Sequence, residues 1–414
     1  MPRIHFLFAG LMFALTGFLP CSPVFAASPQ ITGFDFPGVN AGTYIDQSNH
    51  TILVLVPYGT DPAKLEPKIT QNGASVERIS GDEHGFTNPA EYEVKGDSGE
   101  QVKYTVKIIV HHWEELTAAP GWKPRDGAGL VSFRGKLWML GGWEAPETTS
   151  QVWVSEDEGR NWKRLPDAPW PPRHGAGWVV FDDRIWVVAG DDKSDVWSSP
   201  DGVNWTEEVH SAPFGNRYTP YVAVFNDRLW VMGGISWLND DGTPMYPGVK
   251  AYNDVWSSTD GRQWTRVLAH APWAPRGLIH GYAVLGDRLF IMGGGIKAGI
   301  GAERGTDTVA EYHDVWYTTN GTEWVRSTDW AAWAARTHVS VASTPSYIYV
   351  TDGSVRMQSQ TSNEVWRTSN GHTWDKITPV PWTPRHASSL TYHDGRLVLA
   401  SGFLNSEVWA MDTK

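Results

Sequence analysis

The sequence predicts an all-β protein in which a small β-sandwich precedes a six-bladed β-propeller. Three observations predict it. A pattern running from an arginine to two tryptophans recurs from residue 125 onward, and six arginines open its copies. The stretch before it, residues 27–112, differs in composition and reads as short apolar strands between Gly, Pro and Asp turns. A strand-like segment at residues 113–116 stands ahead of the first repeat, while the last repeat ends one strand short.

Residues 1–26 read as a secretory signal peptide. Arg3 supplies the positive start, residues 6–19 are apolar, and Val24-Phe25-Ala26 supports cleavage after Ala26. Cys21 follows Pro20, where a lipoprotein signal calls for a small residue, so lipidation is not expected. Cys21 is the single cysteine, and the exported chain must hold together by packing rather than disulfides. Cleavage removes one positive charge from a chain of net charge −12, which argues against nucleic acid or an anionic membrane as partner. No later segment has the roughly 18 uninterrupted apolar residues of a membrane span. The expected location is periplasmic or secreted.

In residues 27–112 the strand candidates are "HTILVLVP", "LEPKIT", "EYEV" and "QVKYTVKIIVHH", with no helical period between them. The segment resembles the bacterial Ig-like modules of extracytoplasmic proteins. Its last strand runs almost directly into Trp113, so the two parts are expected to dock.

The repeats open on Arg125, Arg173, Arg217, Arg276, Arg336 and Arg385, spaced 44 to 60 residues apart. A turn such as "FDDR" follows, then an apolar strand ending in a small pair, as in "LWMLGG" or "LVLASG". After a variable loop comes a Val-Trp strand (Trp153, Trp197, Trp256, Trp316, Trp366, Trp409). A tight turn such as "SPDGVNW" leads to the last strand and to "PW-x-PR" or a relative of it. Each unit is four short strands, a to d, which is the content of a propeller blade. One blade cannot bury both its faces, so neighbours must stack, and indoles supply large apolar area for that. The sixth unit lacks strand d. Residues 113–116 are a d strand with no blade, and are expected to complete blade six and close the ring without a free edge.

Residues 113–414 resemble the kelch family of β-propellers, which carries small-pair, aromatic and Trp signposts in each blade. Ala189, Asp352 and Ser401 replace the first glycine of the pair, and loosened strand ends are expected there. The "S-x-D-x-G-x-x-W" turn at residues 155–162 resembles the Asp-box of sialidases, a structural hairpin in those families.

Strand direction puts the d-to-a and b-to-c connections on one face. That face carries the six arginines and the longest loops, those of units three and four, and loops on a rigid scaffold are where binding sits. A ring of guanidinium groups at the channel mouth would hold carboxylate or phosphate, so all six arginines are ligand-binding candidates. The alternative is pairing with acids that recur unit by unit: Asp195, Asp254, Asp314, Glu364 and Glu407. His174, His280, His338 and His386 follow several arginines, either as proton-transfer groups or as plain loop contacts. No spacing is a recognised metal motif, and no cofactor is implied. Of the 24 tryptophans, Trp143, Trp178, Trp237 and Trp330 have no repeat role. Trp143 and Trp237 fall in loops of the arginine-bearing face with Tyr246, Tyr252 and Tyr312, an aromatic set suited to carbohydrate.

Two functions fit. One is an exported carbohydrate-handling protein that binds a sugar, or an acidic small molecule such as a sugar acid, at the mouth. Secreted kelch propellers include sugar epimerases, so for an enzyme the resemblance implies epimerase or mutarotase chemistry. Glu303, Glu311 and His313 are then the catalytic candidates, with Arg304 beside them. The other is a non-catalytic module binding a protein partner through the same face, in a surface assembly. A sialidase-like glycosidase is a lesser alternative, because the "RIP" element that opens such domains is absent. Galactose oxidase chemistry is not expected, since its Cys–Tyr crosslink needs a cysteine that the exported chain lacks.

Overall fold

The computed structural model describes residues 28–39, 41–56, 59–110, 113–239, 242–245, 248–279, 281–297, 308–356, 359–377 and 380–413. Residues 1–26, read above as a signal peptide, and Tyr246, His280, Glu303 and Arg304 lie outside the described residues.

The chain is all-β. Its N-terminal part has a two-stranded sheet, Ile31–Asp35 with Lys68–Gln71, and a five-stranded sheet. In the latter, Thr51–Val56 lies parallel to Gln101–Val110. Between the sheets, Phe34 meets Phe36, Phe86 and Tyr92 edge-on at 5.4 to 6.0 Å, above a buried layer of Ile52, Val54 and Val106. Three strands were not legible in the sequence: Ile31–Asp35, Gly42–Asp46 and Ser75–Ser80. Each is short, and none presents a continuous apolar run: Ile31–Asp35 buries two residues and the other two strands bury none.

Six four-stranded antiparallel sheets follow. Sheet 1 runs Gly129–Phe133, Lys136–Leu140, Val152–Ser155 and Lys163–Arg164. Sheets 2 to 5 repeat it, with first strands Gly177–Phe181, Tyr221–Phe225, Tyr282–Leu285 and Ser340–Ser343. Sheet 6 is Ser389–His393, Arg396–Ala400 and Val408–Asp412, and its fourth strand is Trp113–Thr117. Trp113 is buried there, edge-on to Trp382 at 4.6 Å. Consecutive sheets share apolar clusters, and Leu137 and Met139 of sheet 1 pack with Val398, Ala400 and Val408 of sheet 6. A depression of about 370 Å³ is lined by Leu130, Val180, Val224, Tyr282, Val341 and Leu390, one from the first strand of each sheet. Gly42 of the N-terminal part lies against Asp375 of sheet 5, where an added Cβ would meet it at 3.2 Å.

The tight turns are built for stacking. Gly202 takes φ +72°, and a Cβ there would fall 2.1 Å from the Trp138 ring of the preceding sheet. In the turn at 155–162, Asp157 accepts the backbone N–H of Asn161 at 2.8 Å, and Trp162 Nε1 donates to the Gly159 carbonyl at 2.9 Å. Both of these bonds stay within the hairpin. The expected loosening at Ala189, Asp352 and Ser401 does not occur. Their φ values of 55°, 60° and 60° match the 58°, 58° and 60° of Gly141, Gly233 and Gly293. The surrounding hydrogen bonds hold the left-handed geometry at non-glycine residues.

Candidate functional site

The six arginines are buried, with at most 1% exposure. Each meets a carboxylate of its own unit. Arg173 pairs with Asp195 and Arg276 with Asp314 through two N–H groups, at 2.6 to 2.9 Å. Arg217 reaches Asp254 at 2.7 Å and Arg336 reaches Glu364 at 2.9 Å. Arg385 pairs with Glu407. In sheet 1 the acid position is Gln151, and Glu144 from the loop supplies the charge to Arg125. In sheets 2 to 5 the acid also takes the indole N–H of the Val-Trp residue, as at Asp254 to Trp256, 2.8 Å. Burial lowers the Arg125 pKa to about 10, even with Glu144 opposing it, and Glu364, hydrogen-bonded to Lys376 and Arg336 against the cost of burial, is held at about 2. The mouth is therefore not rimmed by free guanidinium groups: the recurring acids occupy them, and their charge is spent inside the units.

What faces the mouth is a residue one to three positions after each arginine. Asp126, His174, Tyr218, Ile279, His338 and His386 line a cavity of about 490 Å³ with Trp143, Lys297 and Phe403. The anchored arginine sets the backbone, and a side chain within the next three residues projects inward. Asp126 bonds Trp143 through both backbone groups, at 2.9 and 3.2 Å, which ties the d-to-a connection to the b-to-c loop on this face.

The cavity has an aromatic side and a polar side. Trp143 lies parallel to Phe403 (6.0 Å, 4°), and His386 stacks on the other side of Phe403 (4.9 Å, 13°). His386 Nε2 is 3.7 Å from Asp126 Oδ2. Asp126 Oδ1 and His386 Nδ1 are buried without a hydrogen-bond partner. Across the cavity, His174 Nε2 sits 2.8 Å from the Tyr218 hydroxyl, and His174 Nδ1 sits 2.7 Å from Asp191 Oδ1. Burial works against a charged His174 ring, but the Asp191 contact outweighs it and raises its pKa. Burial, with the charges of Asp126 and Asp191, drives Tyr218 well above the usual phenol range. His338 is buried beside His386, and its pKa is pushed well below the usual value, first by burial.

Of the sequence candidates, Trp143, His174, His338 and His386 line this cavity. Trp237 stands behind it: its ring covers Tyr218 at 4.4 Å and its Nε1 donates to the Lys297 carbonyl at 3.3 Å. Tyr252 and Tyr312 stack on Arg217 and Arg276, at 3.3 and 4.2 Å. His313 turns to the Trp333 carbonyl at 3.4 Å and to the exposed Trp330 ring, as Asn253 turns to Trp273 in the unit before. It does not line the cavity, and neither does Glu311, which ends the strand Thr308–Glu311. Trp178 packs between sheets 1 and 2, against Trp170 at 5.8 Å. Asp126, Tyr218, Lys297 and Phe403 were missed. The first two were legible as the neighbours of repeat arginines; nothing marked the others.

The family described as SGBP, N-terminal, the N-terminal domain of a glycan-binding protein, matches residues 31–108. No curated protein matches the chain. Among the described residues, no helix is long and apolar enough to cross a membrane. Beyond residue 108, the features on which a function rests are the six sheets and the cavity over their first strands.

Proposed function

We propose that this is an exported carbohydrate-binding protein whose residues 27–112 form an Ig-like sandwich and whose residues 113–414 form a kelch-type propeller closed at sheet 6. A sugar binds at the mouth, stacked on Trp143 and hydrogen-bonded to Asp126 and His386. The observation that carries this is the pair of unpartnered buried atoms, Asp126 Oδ1 and His386 Nδ1, beside the Trp143–Phe403 stack. An acceptor and a ring nitrogen next to an apolar platform match hydroxyls on the edge of a sugar and C–H groups on its face. The glycan-binding family match at residues 31–108 supports the same class. With the arginines neutralised, a neutral sugar fits the mouth better than a sugar acid. The test is calorimetric titration of the exported chain with neutral sugars and uronic acids, alongside Asp126→Asn. Binding that is lost in this variant supports the reading; binding that is indifferent to it overturns the reading.

A second reading, epimerase or mutarotase activity at the same mouth, is favoured by one observation. His174 bridges Asp191 and the Tyr218 hydroxyl, a short chain of proton-transfer groups at the cavity wall. Anomer interconversion followed by NMR, compared between the wild type and Tyr218→Phe, decides it.

A further inference from the structure

Five of the six repeat arginines satisfy their N–H groups in one way. Nε donates to the carbonyl two residues earlier (Lys123, Pro171, Ala274, Ala334, Thr383) at 3.0 to 3.5 Å. Nη1 donates to the carbonyl of the small residue ending strand b (Gly141, Ala189, Gly293, Asp352, Ser401) at 2.9 to 3.2 Å. Arg217 breaks the pattern. Its Nε and Nη1 have no partner although the residue is 0% exposed, and Oδ1 of its acid, Asp254, has none either. The sequence explains the break. The other units approach their arginine as "GWKPR", "PWPPR", "PWAPR", "AWAAR" or "PWTPR", whereas this one reads "PFGNR". Gly215 takes φ +76°, and its carbonyl is not offered to Arg217.

Arg217 and Asp254 line a depression of about 560 Å³ between sheets 2 and 3, together with Phe214, Tyr252, Asn253 and Trp256. The Tyr252 ring covers the guanidinium face at 3.3 Å, which leaves the in-plane N–H directions for a ligand. Donors and an acceptor lie side by side, and the pair is neutral as a whole. Asp254 would repel an anion and Arg217 a cation. Adjacent hydroxyls satisfy both, one accepting from Arg217 and the next donating to Asp254. We infer that this depression is a second sugar subsite, binding a vicinal diol of a neutral glycan through Arg217 and Asp254. It is separated from the mouth by Tyr218 and Trp237: Arg217 and Ser236 line one cavity, and Tyr218 lines the other. Two such adjoining sites suit an oligosaccharide. The inference shares the carbohydrate class of the mouth site but not its residues.

The test uses the full exported chain and short neutral fragments of glucan, mannan, galactan and xylan, titrated by calorimetry. The double variant Gly215→Ala, Asn216→Pro restores the "APR" approach of sheet 4, and Asp254→Asn removes the acceptor while keeping the shape. Either is expected to weaken the bound fragment by about tenfold, the scale of one charge-assisted hydrogen bond. A crystal soaked with that fragment is expected to place it against Arg217. Asp126→Asn serves as the control for the mouth: loss there with no change in the sheet 3 variants overturns the second subsite and spares the first. Binding of no fragment at all, or a soaked crystal empty at Arg217, also overturns it.

Discussion

Arg173 donates to both oxygens of Asp195, each at 2.6 Å, and Asp195 also accepts the Trp197 indole N–H at 2.8 Å. This cluster ties the start of one strand to the third strand of the same sheet, and it recurs around the molecule. Its groups are buried and mutually satisfied, so removing one partner leaves a stranded charge. Arg173→Ala is expected to cost about 3–5 kcal/mol in urea denaturation. A loss below about 1 kcal/mol, the range of an exposed pair, would mean that water reaches the site.

Trp143 and Trp237 are expected to separate. Trp143→Ala removes an open stacking platform and should weaken sugar binding by about fivefold to tenfold, with a small effect on melting. Trp237→Ala uncovers Tyr218 and cuts the contact to the Lys297 carbonyl, so it should lower stability by about 1–3 kcal/mol. Thermal melts and sugar titrations of both variants, run in parallel, check this. Equal melting temperatures would place Trp237 in the ligand's path instead.

Strand Trp113–Thr117 is expected to be indispensable to sheet 6. Trp113→Ala deletes a fully buried indole packed on Trp382 and should cost about 3–5 kcal/mol. Hydrogen exchange offers a local readout: amides of Val408–Asp412 should lose protection in the variant. Unchanged protection there would contradict the pairing.

Acid should weaken the fold through His338. Burial, with the neighbouring His386, Lys297 and His174, holds its folded pKa well below the unfolded value of about 6.5. The ring is neutral in both states at higher pH, so its contribution is complete above about pH 6.5. As pH falls below that value the unfolded chain takes the proton first, and stability declines toward the folded pKa. His174 has the opposite sign, its raised pKa favouring the fold at low pH. His338→Gln should flatten the fall in melting temperature between about pH 6.5 and 5. An unaltered slope would remove His338 as its cause.

Much of the sheet structure was legible because it is local. The turns, the Val-Trp strands and the small pairs announce themselves within a few residues, and the orphan strand at residues 113–116 could be matched to a missing partner by counting. The N-terminal part was less legible, since Gly42–Asp46 and Ser75–Ser80 carry no apolar run. Ala189, Asp352 and Ser401 misled for a related reason. Residue identity sets the cost of a left-handed φ, but the surrounding hydrogen bonds decide whether that cost is met.

By itself the sequence determined that one four-strand unit is written repeatedly, with an arginine and a tryptophan in each copy and an acid in five of the six, because those signals are periodic and short-range. Only the tertiary structure decided what the arginines do. Their acid partners arrive 19 to 38 residues later, most of them at the start of the third strand, as at Asp195 and Asp314, and hold them inside the unit. The role at the mouth passes to a residue one to three positions further on, whose direction depends on the anchored backbone. At Arg217 the same rule fails, because one glycine turns a carbonyl aside and leaves a buried donor unmet.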